Sequence, residues 1–437
     1  MLKRIYTKPI IWEHQAKNKL ALLYFTMLII SFVIITRTFA AHIYHVSPDG
    51  NDQNPGTEDR PFKTIKYAAE KATAGDTVLV NDGIYREHII IKNSGTSDTQ
   101  RIVFKARTPH AAIVDGLGVD VPPFYGLLEI KNANYVTIEG FEIMNTPEAG
   151  VRCSNCKNAT IRDCLIHNTT NEKRSGLIFV FGDSALIQHN EIYGFTWNGI
   201  DVEGGNNVII ESNYTHDNPN HFGLQIFPFH SGGDSSFYFN NIIRYNVIAR
   251  NISGMFFRNN KYLQIYSNVI YNNTYSGIHL GEGATSSPSF DSFSQIYNNT
   301  IIGQKYCITN TAFNNLSIKN NIFYSPLYDV FLFDPDANTG HDIDYNLYFG
   351  KGDTPVGNHD LYADPMFVEP SKNNYELSDG SPAIDAGVIL ANVMKDINAT
   401  LRYYGTSYDI GAYEYIPPTD TLAPAAPKGL RAIFLSK

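Results

Sequence analysis

The chain has 437 residues, among them 28 Tyr, 26 Phe and 33 Gly, and a formal net charge of -9. A composition so rich in aromatic residues, Gly and Asn favours strands and turns over helix interiors, so an all-β fold is expected. Acidic and basic residues are interspersed, which leaves no basic stripe for a nucleic-acid partner.

Residues 1–40 read as a targeting segment. Lys3, Arg4, Lys8, Lys17 and Lys19 precede an apolar run from Leu20 to Thr36, and "TFA" before Ala41 offers small residues for a signal peptidase. The run is also near the shortest length that crosses a bilayer, so an uncleaved N-terminal anchor is the one membrane contact the sequence allows. Either reading places the rest of the chain outside the cytoplasm, secreted, on the cell surface or in a periplasm.

The stretch "PFKTIKYAAEKATAGD" predicts a capping helix, with Ile65, Ala68, Ala69 and Ala72 on one face and Gly75 ending it. Beyond it a motif of Ile, two residues, Asn and a short apolar run recurs. Its asparagines are Asn190, Asn213, Asn246, Asn268, Asn299, Asn321 and Asn346, with successive gaps of 23, 33, 22, 31, 22 and 25 residues. Phe141 and Cys164 hold the Asn place in two earlier units. A floor near 22 with occasional additions implies one turn of structure plus inserted loops. About ten residues after each Asn a Gly opens a second strand: "AGVRCS", "SGLIFVF", "NGIDVEG", "FGLQIFP", "SGMFFRN", "SGIHLGE". Several short strands per unit, with no helical pattern between them, build a coil whose turns stack about 4.8 Å apart, a parallel β-helix. The repeated Asn is read as structural: it tolerates left-handed backbone angles at a bend and bonds to the Asn of the next coil.

Cys153, Cys156, Cys164 and Cys307 are too few for a disulfide scaffold. They read as buried thiols, with a local Cys153–Cys156 disulfide as the alternative. The divisions are 41–115 (cap), 116–350 (repeats), 351–415 (C-terminal end) and a Pro-rich linker at 416–437. The protein reads as a monomer.

With "YHVSPDGNDQNPGTEDRPFKTIKYAAEKATAGDTVLVNDGIYRE" at one end and "DPMFV", "YELSDGSPAIDAG" and "DIGAYEY" at the other, the chain resembles the pectin-lyase-like right-handed parallel β-helix superfamily over roughly residues 41–415. Its N-terminal part is similar to family 9 pectate lyases, and "DTLAPAAPKGLRAI" looks like the first strand of a fibronectin type III module. The resemblance implies an acidic, uronate-containing polysaccharide as ligand, cleaved by β-elimination. Uronate epimerisation and non-catalytic glycan binding or display are the alternatives.

Aligning the post-Gly strands by their glycines places outward pairs in columns: Arg152 and Ser154, Ile178 and Val180, Asp201 and Glu203, Gln225 and Phe227, Phe256 and Arg258, His279 and Gly281. Elimination needs the uronate carboxylate neutralised and a base beside the C5 proton. Asp201 and Glu203 are read as Ca²⁺ ligands with Gln225 assisting, because a hard cation prefers oxygen. Arg258 is read as carboxylate fork or base, His279 as base near neutral pH, and Lys261 as the lysine that family 9 lyases use for that task. Trp197 and Phe227 are sugar-stacking candidates, and His216, His221, His230 and Asp234 stand in loops beside the strip. The same outward charges would also suit a merely solvated sheet.

Overall fold

The structure is a computed structural model that describes residues 41–170, 177–227, 237–281, 289–325, 329–335, 339–350, 356–402 and 404–417. The targeting segment, His230, Asp234 and the residues after 417 lie outside them.

The chain coils into three parallel sheets around one core. The first sheet has twelve described strands and runs in sequence order from Ile43–Val46 to Asp342–Asp344. A second follows each repeat Asn, from Gly83–Tyr85 to Leu361–Tyr362. A third, from Ile89–Ile91 to Phe331–Phe333, carries the post-Gly strands. Two long strands, Tyr214–Phe227 and Val247–Phe257, bend from the second sheet into the third. Each rung puts one aliphatic column inside: Ile138, Ile161, Ile187, Ile210, Ile243, Ile265, Ile296 and Ile318 are in register on the first sheet and fully buried. This column is what the recurring Ile of the motif builds.

The motif's Asn side chains form the second column. Each amide donates to the carboxamide oxygen of the next, from Asn190 through Asn213, Asn246, Asn268, Asn299 and Asn321 to Asn346, at 2.9–3.0 Å. Asp360 closes the row, accepting from the Asn346 backbone N–H at 2.7 Å and from its amide at 3.4 Å. The left-handed bend expected at these asparagines falls one residue earlier: His189, Ser212, Tyr245, Ser267, Asn298, Asn320 and Tyr345 hold φ between 50° and 59°. The preceding residue turns the corner, so the Asn itself keeps an ordinary backbone and aims its amide along the stack.

The capping helix runs Ile65–Lys71, with Thr64 as N-cap and Ile65, Ala68 and Ala69 buried against the first coil; it ends before Gly75, at Ala72. Glu87 reaches it from the coil and accepts the N–H groups of Ile65 and Lys66 at 2.9 Å each, satisfying two free helix donors. At the far end the chain folds back along the stack, where Ala412 N–H donates to Thr300 and Arg402 to Ser267. Arg402 is buried there with Glu414 at 3.4 Å, beside Asp396 and Asp409.

Buried thiols were expected at Cys153 and Cys156, but the two are joined in a disulfide, while Cys164 and Cys307 are free and buried. A bulge between Ser154 and Cys156, with Asn155 at φ 51°, turns both sulfurs inward although an odd spacing along a regular strand would separate them.

Candidate functional site

The third sheet's outer face carries one continuous column, Ile90, Glu129, Arg152, Phe179, Asp201, Gln225, Phe256, His279 and Thr309. Two residues along each strand lie Lys131, Ser154 and Phe181, and then Glu203 and Phe227. One coil departs from the expected alignment. Ile178 pairs with Val151 and Ile200 and is fully buried, as is Val180, so both point inward and Phe179 and Phe181 point out. Leu177 stands in the glycine column, and counting from the glycine of the sequence shifts every residue of this strand to the wrong face.

The column is outward but not solvated. Asp201 is 1% exposed and Gln225 and Phe256 are 7% exposed. Phe222 stacks on Phe256 at 4.8 Å, and Phe227 lies 5.9 Å from the same ring. The Asp201 carboxylate accepts from the Asn198 amide at 3.0 Å and from the Gln225 amide at 2.8 Å. Burial raises its pKa to about 6, against the pull of those two amides. Glu203 is pushed up to about 8, first by burial and second by the Asp201 charge, with Arg152 pulling the other way. The pair therefore holds a proton through neutral pH.

Cations flank the pair on both sides. The Arg152 guanidinium lies 4.5 Å over Phe179, and that of Arg258 lies 4.9 Å over Phe227. Burial lowers the Arg258 pKa, and it depresses that of His279 to about 4. His279 packs 5.0 Å from Phe256, and its Nε2 is buried without a hydrogen-bond partner among the described residues. At neutral pH it is an uncharged imidazole with an unused nitrogen.

The fold brings Asp201, Glu203, Gln225, Phe227, Arg258 and His279 onto this face, and Trp197 beside it with the tilted His221 ring 4.2 Å away. It does not bring His216 or Lys261 there. His216 belongs to the second sheet, past the corner at Asp217 (φ 58°), stacked on Tyr214 and hydrogen-bonded to Asp217 at 2.6 Å. Lys261 lies beyond the turn at Asn259, with its ammonium 4.3 Å over Phe237. Arg152, Phe179, Phe181 and Asn198 were not chosen from sequence. Aligning Leu177 with the glycines would have found the phenylalanines, and the three-residue spacing from Asn198 to Asp201 would have found the amide.

The donors do not fit the expected Ca²⁺ site. Both Asp201 oxygens are already engaged by amide N–H groups, Gln225 offers its amine side, and Glu203 keeps a proton. No group of three or more His, Cys, Asp or Glu is arranged to hold a metal among the described residues. Calcium ligation needs six to eight oxygens, and this pocket supplies one free carboxyl.

Comparison with known proteins agrees with the geometry of the fold. Residues 44–179 match the family described as "Pel9A-like, right handed beta helix region", and residues 169–323 match "Right handed beta helix region". The chain is 26% identical to the uncharacterized protein YwoF of Bacillus subtilis, over 78% of this chain and 91% of that one. It is 35% identical to the pectate lyase PEL9 of Emericella nidulans over 25% of this chain and 29% of the relative. Among solved structures it is similar to the pectate lyase Pel9A, with a TM-score of 0.60 at 15% identity, covering 87% of this chain and 98% of that one. A complex of XylC with xylose gives 0.54 at 14%, covering 86% and 98%.

Proposed function

We propose that this chain, a member of the right-handed parallel β-helix superfamily, is a secreted lyase that cleaves a uronate-containing polysaccharide lying along its third sheet. The observation that carries the reading is the Asp201–Glu203 pair, with the Arg258 guanidinium two coils and a neutral His279 three coils further on and aromatic rings between. The pectate lyase match over a quarter of the chain supports the substrate class.

Elimination removes the C5 proton and breaks the C4–O bond; the C–H electron pair becomes the C4=C5 double bond and the leaving oxygen takes a proton. Arg258 forks onto the uronate carboxylate and makes the C5 proton more acidic. His279 accepts that proton on the lone-pair nitrogen of a ring that desolvation keeps neutral. The leaving oxygen takes its proton from water, since Glu203 stands three rungs, roughly 14 Å, from His279, and the protonated Glu203, beside an Asp201 fixed by Asn198 and Gln225, hydrogen-bonds a neighbouring sugar of the chain. Trp197 and Phe227 offer ring faces and edges to the sugar. No step needs a metal ion.

The test is ultraviolet absorbance of an unsaturated product during incubation with pectate, alginate and chondroitin, with and without chelator. The expected result is a rise on one substrate that survives chelation and is lost in Arg258→Ala and His279→Ala proteins that still fold. New reducing ends without unsaturation would mean hydrolysis by the carboxyl pair instead, and silence from folded protein would end the catalytic reading.

A further inference from the structure

The column that holds Asp201 does not stop at Arg152. It continues through Glu129 to Ile90, and Ile90 lies in the wall of a cleft of ≈ 790 Å³ between the capping helix and the loop at 117–120. His88, Ile90 and Lys92 alternate with the buried Ile89 and Ile91, so the same outer face that carries the carboxyl pair opens into this cleft. Ile90 to Asp201 is four rungs, roughly 19 Å, and Ile90 to His279 is seven, roughly 34 Å.

The cleft is lined by three cations, Lys66, Arg86 and Lys92, and three acids, Glu70, Glu87 and Asp120. Lys66, Arg86 and Lys92 are exposed on its walls. Glu87 is committed to the helix N–H groups and Arg86 is paired with Asp115 at 2.8 Å, so the movable cations are Lys66 and Lys92, with Glu70 and Asp120 on the rim. His88 Nε2 is buried without a partner among the described residues, and the His88 ring meets Tyr125 edge-on at 5.9 Å. From the cleft toward Asp201 the face presents Lys131, held against Tyr125, and then Arg152 over Phe179, a cation on each coil with an aromatic ring beside it. Rings and ammonium or guanidinium groups in alternation suit a chain of sugars bearing carboxylates.

We infer that the cap cleft is a distal binding site for the same acidic polysaccharide, joined to the carboxyl pair by the Lys131–Arg152 stretch of the third sheet. The inference rests on the lyase reading for its ligand class, but it makes a claim of its own: polymer binds at both places at once, whereas a short oligomer reaches only the central site. Linking two sites on one face raises affinity without new contacts at either.

The experiment is calorimetric titration of polyuronate and of short oligouronates into His279→Ala protein, which binds without cleaving, and into the same protein carrying Lys66→Gln and Lys92→Gln. Both lysines are exposed, so the substitutions leave the fold intact. The expected result is about tenfold weaker polymer binding with oligomer binding unchanged. Equal loss for both ligands, or loss for neither, would overturn the distal site while leaving the central reading in place. Failure of any polyuronate to bind the protein with intact lysines would overturn both.

Discussion

Asp201 and Glu203 differ in one respect that decides what each can do: Asp201 is held by two amides, and Glu203 is not. A fixed carboxylate sets the field, and its freer neighbour keeps the movable proton. Glu203→Gln preserves the shape and replaces that proton by an amide, so KM should rise about tenfold with little change in kcat. Asp201→Asn removes the second cause of the raised Glu203 pKa, so the alkaline limb of the kcat/KM profile should move to lower pH. Stability carries the same signature. Both carboxyls bind protons more tightly folded than unfolded, so their favourable contribution is complete below their ordinary values of 3.8 and 4.5 and is lost as pH rises through about 6 and about 8. His279 runs the other way, its cost growing as pH falls from the ordinary 6.5 toward about 4. Thermal midpoints should therefore fall between about pH 6 and pH 8, and the Asp201→Asn, Glu203→Gln double variant should flatten that slope.

A strand here is only three to six residues in most coils, too short to be stable alone, and is held by its neighbours above and below. The asparagine row shows how tightly. Asn246 accepts from the Asn213 backbone N–H and donates to Ile210, Arg244 and Asn268, all without access to water. Asn246→Ala strips partners from several buried groups at once and should cost roughly 3 kcal/mol or more in urea unfolding, well above an exposed Asn→Ala. The row was legible in the sequence because its spacing repeats and one residue type fills it. The inward face was legible for the same reason, through alternation. The coil at Leu177 was misread because its glycine is one place early, and nothing local reports that. The burial of Asp201 was also hidden, since the ring in register beside it, Phe179, comes from the preceding coil and burial is set by what arrives from outside the strand.

At the scale of the whole molecule, a stack of like coils has two dissimilar ends. The helix at Ile65–Lys71 covers one, and the returning chain from 375 to 415 braces the other by packing Tyr375, Ile397 and Ala412 against Val247, Val269 and Tyr271. Arg402 sits at the centre of that brace among Asp396, Asp409 and Glu414. Burial raises Asp396 to about 6 and Asp409 to about 7, so these acids lean on the one guanidinium increasingly as they ionise. Arg402→Met should cost about 3–5 kcal/mol, more at pH 8 than at pH 5, and limited proteolysis should then cut first between 388 and 415. The amide row has a further consequence for how such a molecule can change length. Every Asn donates toward the C-terminus and accepts from the N-terminal side, so a duplicated unit of about 22 residues enters the row already oriented, taking one bond from its predecessor and giving one to its successor. Nothing in the row itself counts coils. Asp360, a carboxylate able only to accept, is where that growth is brought to a stop, and a gene for this fold can lengthen anywhere before it.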